Sequence, residues 1–352
     1  MKILNLVTYN ILATIYCNKE SYPYLDNKLL NHKYRSIQIK KELIQMIQRE
    51  CVICLQEVNY EWYSDLIVFF NKYNYNLIIE SYGNIKNDYM GVAIAHLKDY
   101  PIIFYIPIRV KDYIYKYTKE KYKLLVEKIK KDNTLLYNPN ERKELEKPEE
   151  SLSVTYDKTN VMMFLILKIG NKNYSITNYH MPCHYQDPTV MIIHGLFYIN
   201  ISIQLNKEHN KNGLLFMCGD MNTKPNDPLI KLLESELKNK DPYFIKINKM
   251  FDINLIENKV TSLYKYLNGD EPEYTNYVLT KDKNITDRIE YNIFRDTLDY
   301  IFTINIEKIS KQSIASVNSF NYNDKNLSIE PLPNLKNISD HLFLYNKIKL
   351  IK

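Results

Sequence analysis

The sequence predicts a layered α/β fold, and two features carry that expectation. Apolar runs of strand length recur along the chain and end in polar residues, and amphipathic helical patterns fall between several of them. The strand-like runs lie at 3–11, 51–58, 75–80, 90–96, 160–169, 173–180, 213–220, 297–304 and 341–350. The first helix is expected over 33–50, where Ile37, Leu43, Ile44 and Ile47 oppose charged residues. Similar patterns cover 59–73 and 188–207, and a short helix is expected from Pro228 to Leu237.

A chain of 352 residues, 45% of them hydrophobic, can bury a sizeable core in one large domain or two small ones. No repeat or low-complexity linker divides it, so a single domain spanning 1–352 is expected. The one composition shift, at about 111–150, is dense in charges of both signs and reads as a solvated insertion rather than a nucleic-acid arm. The net charge of +6 is compatible with a polyanionic partner. The abundance of Tyr (32) and scarcity of Gly (7) are attributed to coding bias rather than function.

Cys17, Cys51, Cys54, Cys183 and Cys218 form no regular disulfide framework. Cys51 and Cys54 have redox or zinc spacing, but no second such pair completes a zinc site, and their apolar setting points to buried strand thiols. No uninterrupted apolar run approaches the roughly 20 residues of a membrane span. The expectation is therefore a soluble protein of a reducing intracellular compartment, cytoplasmic or nuclear, with no membrane partner.

The chemistry gathers at the ends of the strand-like runs. In LLFMCGDMNTKP, five apolar residues lead into Asp220 and Asn222, which as i and i+2 of an extended chain would share a face. Alone, this pair reads equally well as a turn. Asn10, Glu57, His180, Asp299, Asp340 and His341 also stand at run ends. Each alone could be a cap or a satisfied core polar group. Together they are four acids, two amides and two histidines, with no suitably placed Ser or Cys nucleophile. That donor set suits a hard divalent cation, Mg²⁺ or its substitute Mn²⁺, and an activated water.

The ordered series TYNIL, LQEV, NYH, GDMN, LDYIF and SDH, running from Asn10 to His341, resembles the endonuclease/exonuclease/phosphatase (DNase I-like) family. The resemblance implies a four-layer α/β sandwich of two packed mixed β-sheets flanked by helices. It also implies a metal-dependent hydrolase of phosphoester bonds. By matched motif, Glu57 would be the main Mg²⁺ ligand, Asn10 would help form the metal and phosphate site, and Asp340 could contribute to metal binding. Asp220 would orient or deprotonate the attacking water and Asn222 would hold the phosphate or the nucleophile. His180 would contact the phosphate, and His341, paired with Asp299, would stabilise charge in the transition state.

TYNILA and PEYTNY, at 8–13 and 272–277, resemble the deadenylase, nocturnin and angel branch of that family. This branch implies hydrolysis of RNA, as a 3′–5′ exonuclease or poly(A) deadenylase, with RNA ahead of DNA as partner. Phe294, five residues before Asp299, would then stack on a base, and Asn178 and Asn276 would also contact substrate. The same site could serve a nucleotide or dinucleotide phosphatase or a DNA endonuclease; an inactive nucleic-acid-binding module fits least well, because every expected catalytic position is filled.

Overall fold

The computed structural model describes residues 3–85, 88–117, 148–211, 213–234, 259–281, 291–321 and 327–351. The named strands are β1 (Leu4–Asn10), β2 (Val52–Gln56), β3 (Tyr75–Ser81), β4 (Gly91–Leu97), β5 (Ile102–Arg109), β6 (Val161–Ile169), β7 (Lys172–His180), β8 (Leu214–Asp220), β9 (Thr261–Ser262), β10 (Asn276–Lys281), β11 (Tyr291–Asp296), β12 (Asp299–Thr303), β13 (Ile314–Val317) and β14 (Leu344–Ile348). They form two six-stranded mixed sheets, ordered β13-β14-β1-β2-β4-β3 and β5-β6-β7-β8-β12-β9, and a separate β10-β11 hairpin. The named α-helices are α1 (His32–Ile47), α2 (Tyr60–Lys72), α3 (Pro148–Asp157), α4 (Pro188–His209), α5 (Pro228–Leu233) and α6 (Leu263–Asn268).

Side-chain alternation builds the four layers. On one face of the first sheet, Leu4, Leu6, Val52, Cys54, Val92 and Ile94 meet Leu165, Ile176, Phe216, Cys218 and Ile301 of the second. The opposite parity of the first sheet, Val7, Tyr9, Ile53 and Leu55, packs under Leu43 of α1 and Trp62 and Leu66 of α2. The opposite parity of the second, Leu215, Met217, Tyr300 and Phe302, packs under α4 and α5. Because a strand has period two, each inter-sheet row runs on into polar residues at its end: Leu6 to Asn10, Phe216 to Asp220, Ile176 to Asn178 and His180, Ile301 to Asp299.

Several sequence expectations shift. The buried line of α1 is Ile39, Leu43 and Met46, at i, i+4 and i+7, and Ile37 is exposed. The expected 341–350 strand is shorter, Leu344–Ile348, and β5, β9, β10, β11 and β13 have no counterpart among the expected runs. The short helix after the GDMN turn ends at Leu233, with Glu234 as its cap, and the rest of its expected span lies outside the described residues. So does most of the charged insertion, although the chain is helical at 110–117 and again in α3. By length and composition α4 could cross a membrane, but 83% of its most apolar window is packed inside the protein, as in a core helix. Cys51, Cys54 and Cys218 are buried free thiols, while Cys183 is exposed.

Gly219 is a tight point of this frame. Its φ is +149°, and a Cβ there would lie 1.8 Å from the carbonyl oxygen of Tyr179 on the neighbouring strand. Only a residue without a side chain lets β8 lie against β7 at the step that delivers Asp220. Gly219→Ala is expected to lower unfolding free energy by about 3 kcal/mol, combining backbone strain with overpacking, as read from urea midpoints.

Candidate active site

The registers of the second sheet fix the centre. Asp220 pairs with His180 across the parallel β7–β8 ladder and with Asp299 across the antiparallel β8–β12 ladder. β8 ends at Asp220, and the chain then turns, with Asn222 left-handed at φ +48°. Of the two readings the sequence allows, the turn holds, and Asn222 does not continue the strand beside Asp220. Its backbone N–H donates to Asp220 Oδ1 at 2.8 Å, and its carboxamide donates to the Met181 carbonyl at 2.8 Å, closing an Asx-type turn that aims the carboxylate.

The first sheet supplies Asn10 and Glu57. The Asn10 Nδ2 donates to Glu57 Oε1 at 3.0 Å and to Asp220 Oδ2 at 3.0 Å, so one carboxamide spans both sheets. Its Oδ1 accepts from the Leu12 N–H at 3.0 Å. Asn10 thus presents its nitrogen rather than its oxygen to the carboxylates. Glu57, just past β2, sits at φ +59°, and its Oε2 accepts from the Ala13 N–H at 2.8 Å. Leu12, also left-handed at φ +56°, is held from behind: its carbonyl accepts from Arg35 Nη2 at 2.7 Å and Trp62 Nε1 at 3.0 Å. Left-handed backbone at three non-glycine positions in one site is strain retained by the surrounding structure, a pattern associated with function.

The C-terminal motif completes the cluster. His341 Nδ1 lies 2.7 Å from Asp299 Oδ2, and its Nε2 lies 3.6 Å from Asp220 Oδ2. His180 approaches the same Asp220 oxygen from the other side, with Nε2 at 3.6 Å. Asp340 Oδ2 accepts from the Tyr22 hydroxyl at 2.7 Å and from Asn276 Nδ2 at 3.3 Å. Thr275 holds Asp299: its hydroxyl donates to Oδ2 at 2.6 Å while accepting the Leu298 N–H at 2.9 Å and the Asp299 N–H at 3.1 Å.

The electrostatics follow from burial and a surplus of acid. Burial disfavours the charged His341 imidazole, but Asp299, Asp340 and Asp220 together outweigh it and hold its pKa well above the usual value. Burial pushes Glu57 up, with Asp340 adding to the shift and His180 and the Asn10 hydrogen bond opposing it. The donor atoms of Asp220, Asp299 and His341 all lie within 4.8 Å of one another, an arrangement consistent with a metal site. Asp299 Oδ1 is buried with no hydrogen-bond partner among the described residues. An oxygen-rich, acid-surplus cluster of this kind fits a hard divalent cation.

The structure therefore brings together Asn10, Glu57, His180, Asp220, Asn222, Asn276, Asp299, Asp340 and His341. Asn178 is placed elsewhere. It is fully buried between the sheets, with Nδ2 donating to the Leu55 and Ala93 carbonyls at 2.9 and 2.8 Å and Oδ1 accepting from Gln56 at 2.6 Å, so it braces the sandwich rather than facing substrate. Phe294 lies on β11, half-buried, with Lys224 Nζ 5.7 Å from its ring centre. Tyr22, Tyr82, Thr275 and Arg35 were not anticipated as part of the site. Thr275 stands inside PEYTNY and could have been noted there, whereas nothing marks the two tyrosines among 32.

No family model and no curated protein matches this sequence. Solved structures do. The chain is similar to ANGEL2, a 2′,3′-cyclic phosphatase, in complex with adenosine-2′,3′-vanadate, with a TM-score of 0.65 and 18% identity over 99% of this chain and 96% of the other. It is similar to the human nocturnin catalytic domain with bound sulfate, with a TM-score of 0.59 and 16% identity over 99% and 94% of the two chains. It is also similar to D. rerio TDP2 complexed with single-strand DNA product, with a TM-score of 0.53 and 11% identity over 99% and 100%. These likenesses establish the fold as the endonuclease/exonuclease/phosphatase, DNase I-like sandwich.

The His341 pair has a pH consequence. A histidine whose folded pKa is raised contributes stability that is full below its unfolded value of about 6.5 and is lost as pH rises through the folded value. In Asp299→Asn, the NMR titration of the His341 ring is expected to move to lower pH. The loss of stability above neutral pH that His341 causes should shrink with it.

Proposed function

We propose that this protein is a divalent-cation-dependent phosphoester hydrolase acting on RNA or on a nucleotide. The observation that carries the reading is the setting of Asp220, whose Oδ2 faces Asn10 Nδ2 at 3.0 Å and the Nε2 atoms of His180 and His341 at 3.6 Å each. In this reading Asp220 orients a water and takes its proton as the water oxygen bonds phosphorus and the bond to the leaving oxygen breaks. The charged His341, oriented by Asp299 and Thr275, donates toward the phosphoryl oxygens as negative charge develops on them. His180 contacts the same phosphate from the opposite side, and Asn10 keeps Glu57 and Asp220 in register across the sheets.

Glu57, with Asp340 beside it, would hold the cation. When bound, Mg²⁺ or Mn²⁺ would supply Lewis-acid polarisation of a phosphoryl oxygen and offset the surplus of carboxylates. His341 is the poorer ligand of the compact Asp220–Asp299–His341 group, because Asp299 occupies its Nδ1 and favours its charged form.

The TYNILA and PEYTNY motifs support RNA as the substrate class, with exonucleolytic release of nucleotides as the first reading and Phe294 as the base contact. The similarity to ANGEL2 favours a second reading, action on a 2′,3′-cyclic phosphate. One RNA sequence carrying a 3′-hydroxyl, a 3′-phosphate or a 2′,3′-cyclic phosphate, assayed beside NADPH, separates these readings by product. Nucleoside monophosphate release marks an exonuclease, and loss of the cyclic end without shortening marks the second. Asp220→Asn is expected to lower kcat by about a thousandfold and Glu57→Ala by at least about a hundredfold, each measured with Mg²⁺ on the preferred substrate. Turnover that persists in EDTA and in both variants would refute the proposal.

A further inference from the structure

The two histidines that flank Asp220 are held in different ways. His341 Nδ1 is bound by a carboxylate, that of Asp299, at 2.7 Å. His180 Nδ1 is bound by a phenol, the hydroxyl of Tyr82, at 2.8 Å. Tyr82 sits just past β3 and is buried, and its ring meets the imidazole edge-on at 6.3 Å between centroids. The segment is fixed on both sides. The Tyr82 N–H donates to the Met90 carbonyl at 2.7 Å, and the Gly83 N–H donates to Thr159 Oγ1 at 3.0 Å. Next to Thr159, Asn160 Nδ2 donates to the His180 carbonyl at 2.8 Å.

Donor counting decides the direction of the Tyr82–His180 bond. A buried hydroxyl has one hydrogen to place, and His180 Nδ1 is the acceptor it meets. If Nδ1 instead carried the hydrogen, the phenol hydrogen would be buried with no acceptor among the described residues. A neutral His180 ring would then also turn a bare Nε2 lone pair toward Asp220 Oδ2, which is itself an acceptor. Both conflicts vanish when Tyr82 donates.

We propose that Tyr82 is a positioning residue that fixes His180 as the Nε2–H tautomer, so that His180 serves the reaction as a hydrogen-bond donor and not as a base. The proposal rests on the hydrolase reading for its consequence but not for its geometry. Asp220 is then left as the group that accepts the proton, with a donor from each histidine on its flanks.

Tyr82→Phe tests this, because it removes the hydroxyl and keeps the ring. The first readout is the tautomer itself, from ¹⁵N–¹H correlation spectra of the histidine rings in the whole protein, with His180 assigned through His180→Gln. Wild type should show His180 as a single Nε2–H tautomer, and Tyr82→Phe should show a mixture. The second readout is kinetic: Tyr82→Phe should lower kcat about tenfold with KM little changed, the scale of one buried hydrogen bond. A glutamine side chain places an N–H near the Nε2 position and has no tautomer to choose. His180→Gln should therefore retain part of the activity, and Tyr82→Phe added to it should cost little more. An Nδ1–H His180 in wild type overturns the proposal, as does an unchanged tautomer in Tyr82→Phe or an equal kcat loss in the His180→Gln background. A protein with no hydrolase activity would sink the functional reading alone, since the spectra still decide the tautomer.

Discussion

The carboxamide of Asn10 is the joint on which the site depends. It stands on the first sheet, and its single nitrogen reaches Glu57 of that sheet and Asp220 of the other, both at 3.0 Å. For this to happen the two sheets must stack in one register. That register is secured deeper in the sandwich by Asn178, which donates from the second sheet to two carbonyls of the first, and by Gln56, which donates back to Asn178. Buried amides exact a large penalty when unpaired, so the pairing selects against slipped stackings.

That register concentrates charge. Glu57, Asp220, Asp299 and Asp340 converge where the two sheets end, with His180 and His341 among them. Two carboxylates about 4 Å apart repel by roughly 4 kcal/mol at an effective dielectric near 20. The protein meets this with donors: the Asn10 amide, the Ala13 and Asn222 backbone N–H groups, and the Tyr22 and Thr275 hydroxyls. Two of these, the Ala13 and Asn222 N–H groups, come from turns at the left-handed Leu12 and Asn222, so there backbone strain and carboxylate placement are two aspects of one construction. Those donors orient the acids without neutralising them, which leaves the cluster suited to a divalent cation.

The strand ends were the legible part of the sequence. Period-two alternation runs from the apolar core into Asn10, His180 and Asp220, so the residues that leave the core face are the ones that meet between the sheets. Less was readable where tertiary context overrides local pattern. Asn178 has the right motif and the right face, yet it lies one step deeper than His180, inside the sandwich, and only the packing of the sheets shows that. Asn222 reads from the sequence either as a strand neighbour of Asp220, since i and i+2 share a face, or as a turn residue, and its left-handed φ of +48° shows the turn. β5 carries no clear strand pattern because Pro107 interrupts it, which an edge strand tolerates. Tyr82 and Tyr22 reach the site from loops distant in sequence, each carrying an ordinary tyrosine.

The measurement that tests the central claim most directly is Mn²⁺ binding, followed by electron paramagnetic resonance, to wild type and to Glu57→Gln. The account predicts one saturable site in wild type that Mg²⁺ competes for. In Glu57→Gln that site should be lost or greatly weakened while the thermal unfolding transition is retained. No saturable site in wild type, or equal binding by a folded Glu57→Gln, would contradict it: the acids at the joint of the two sheets would then not form a cation site built around Glu57.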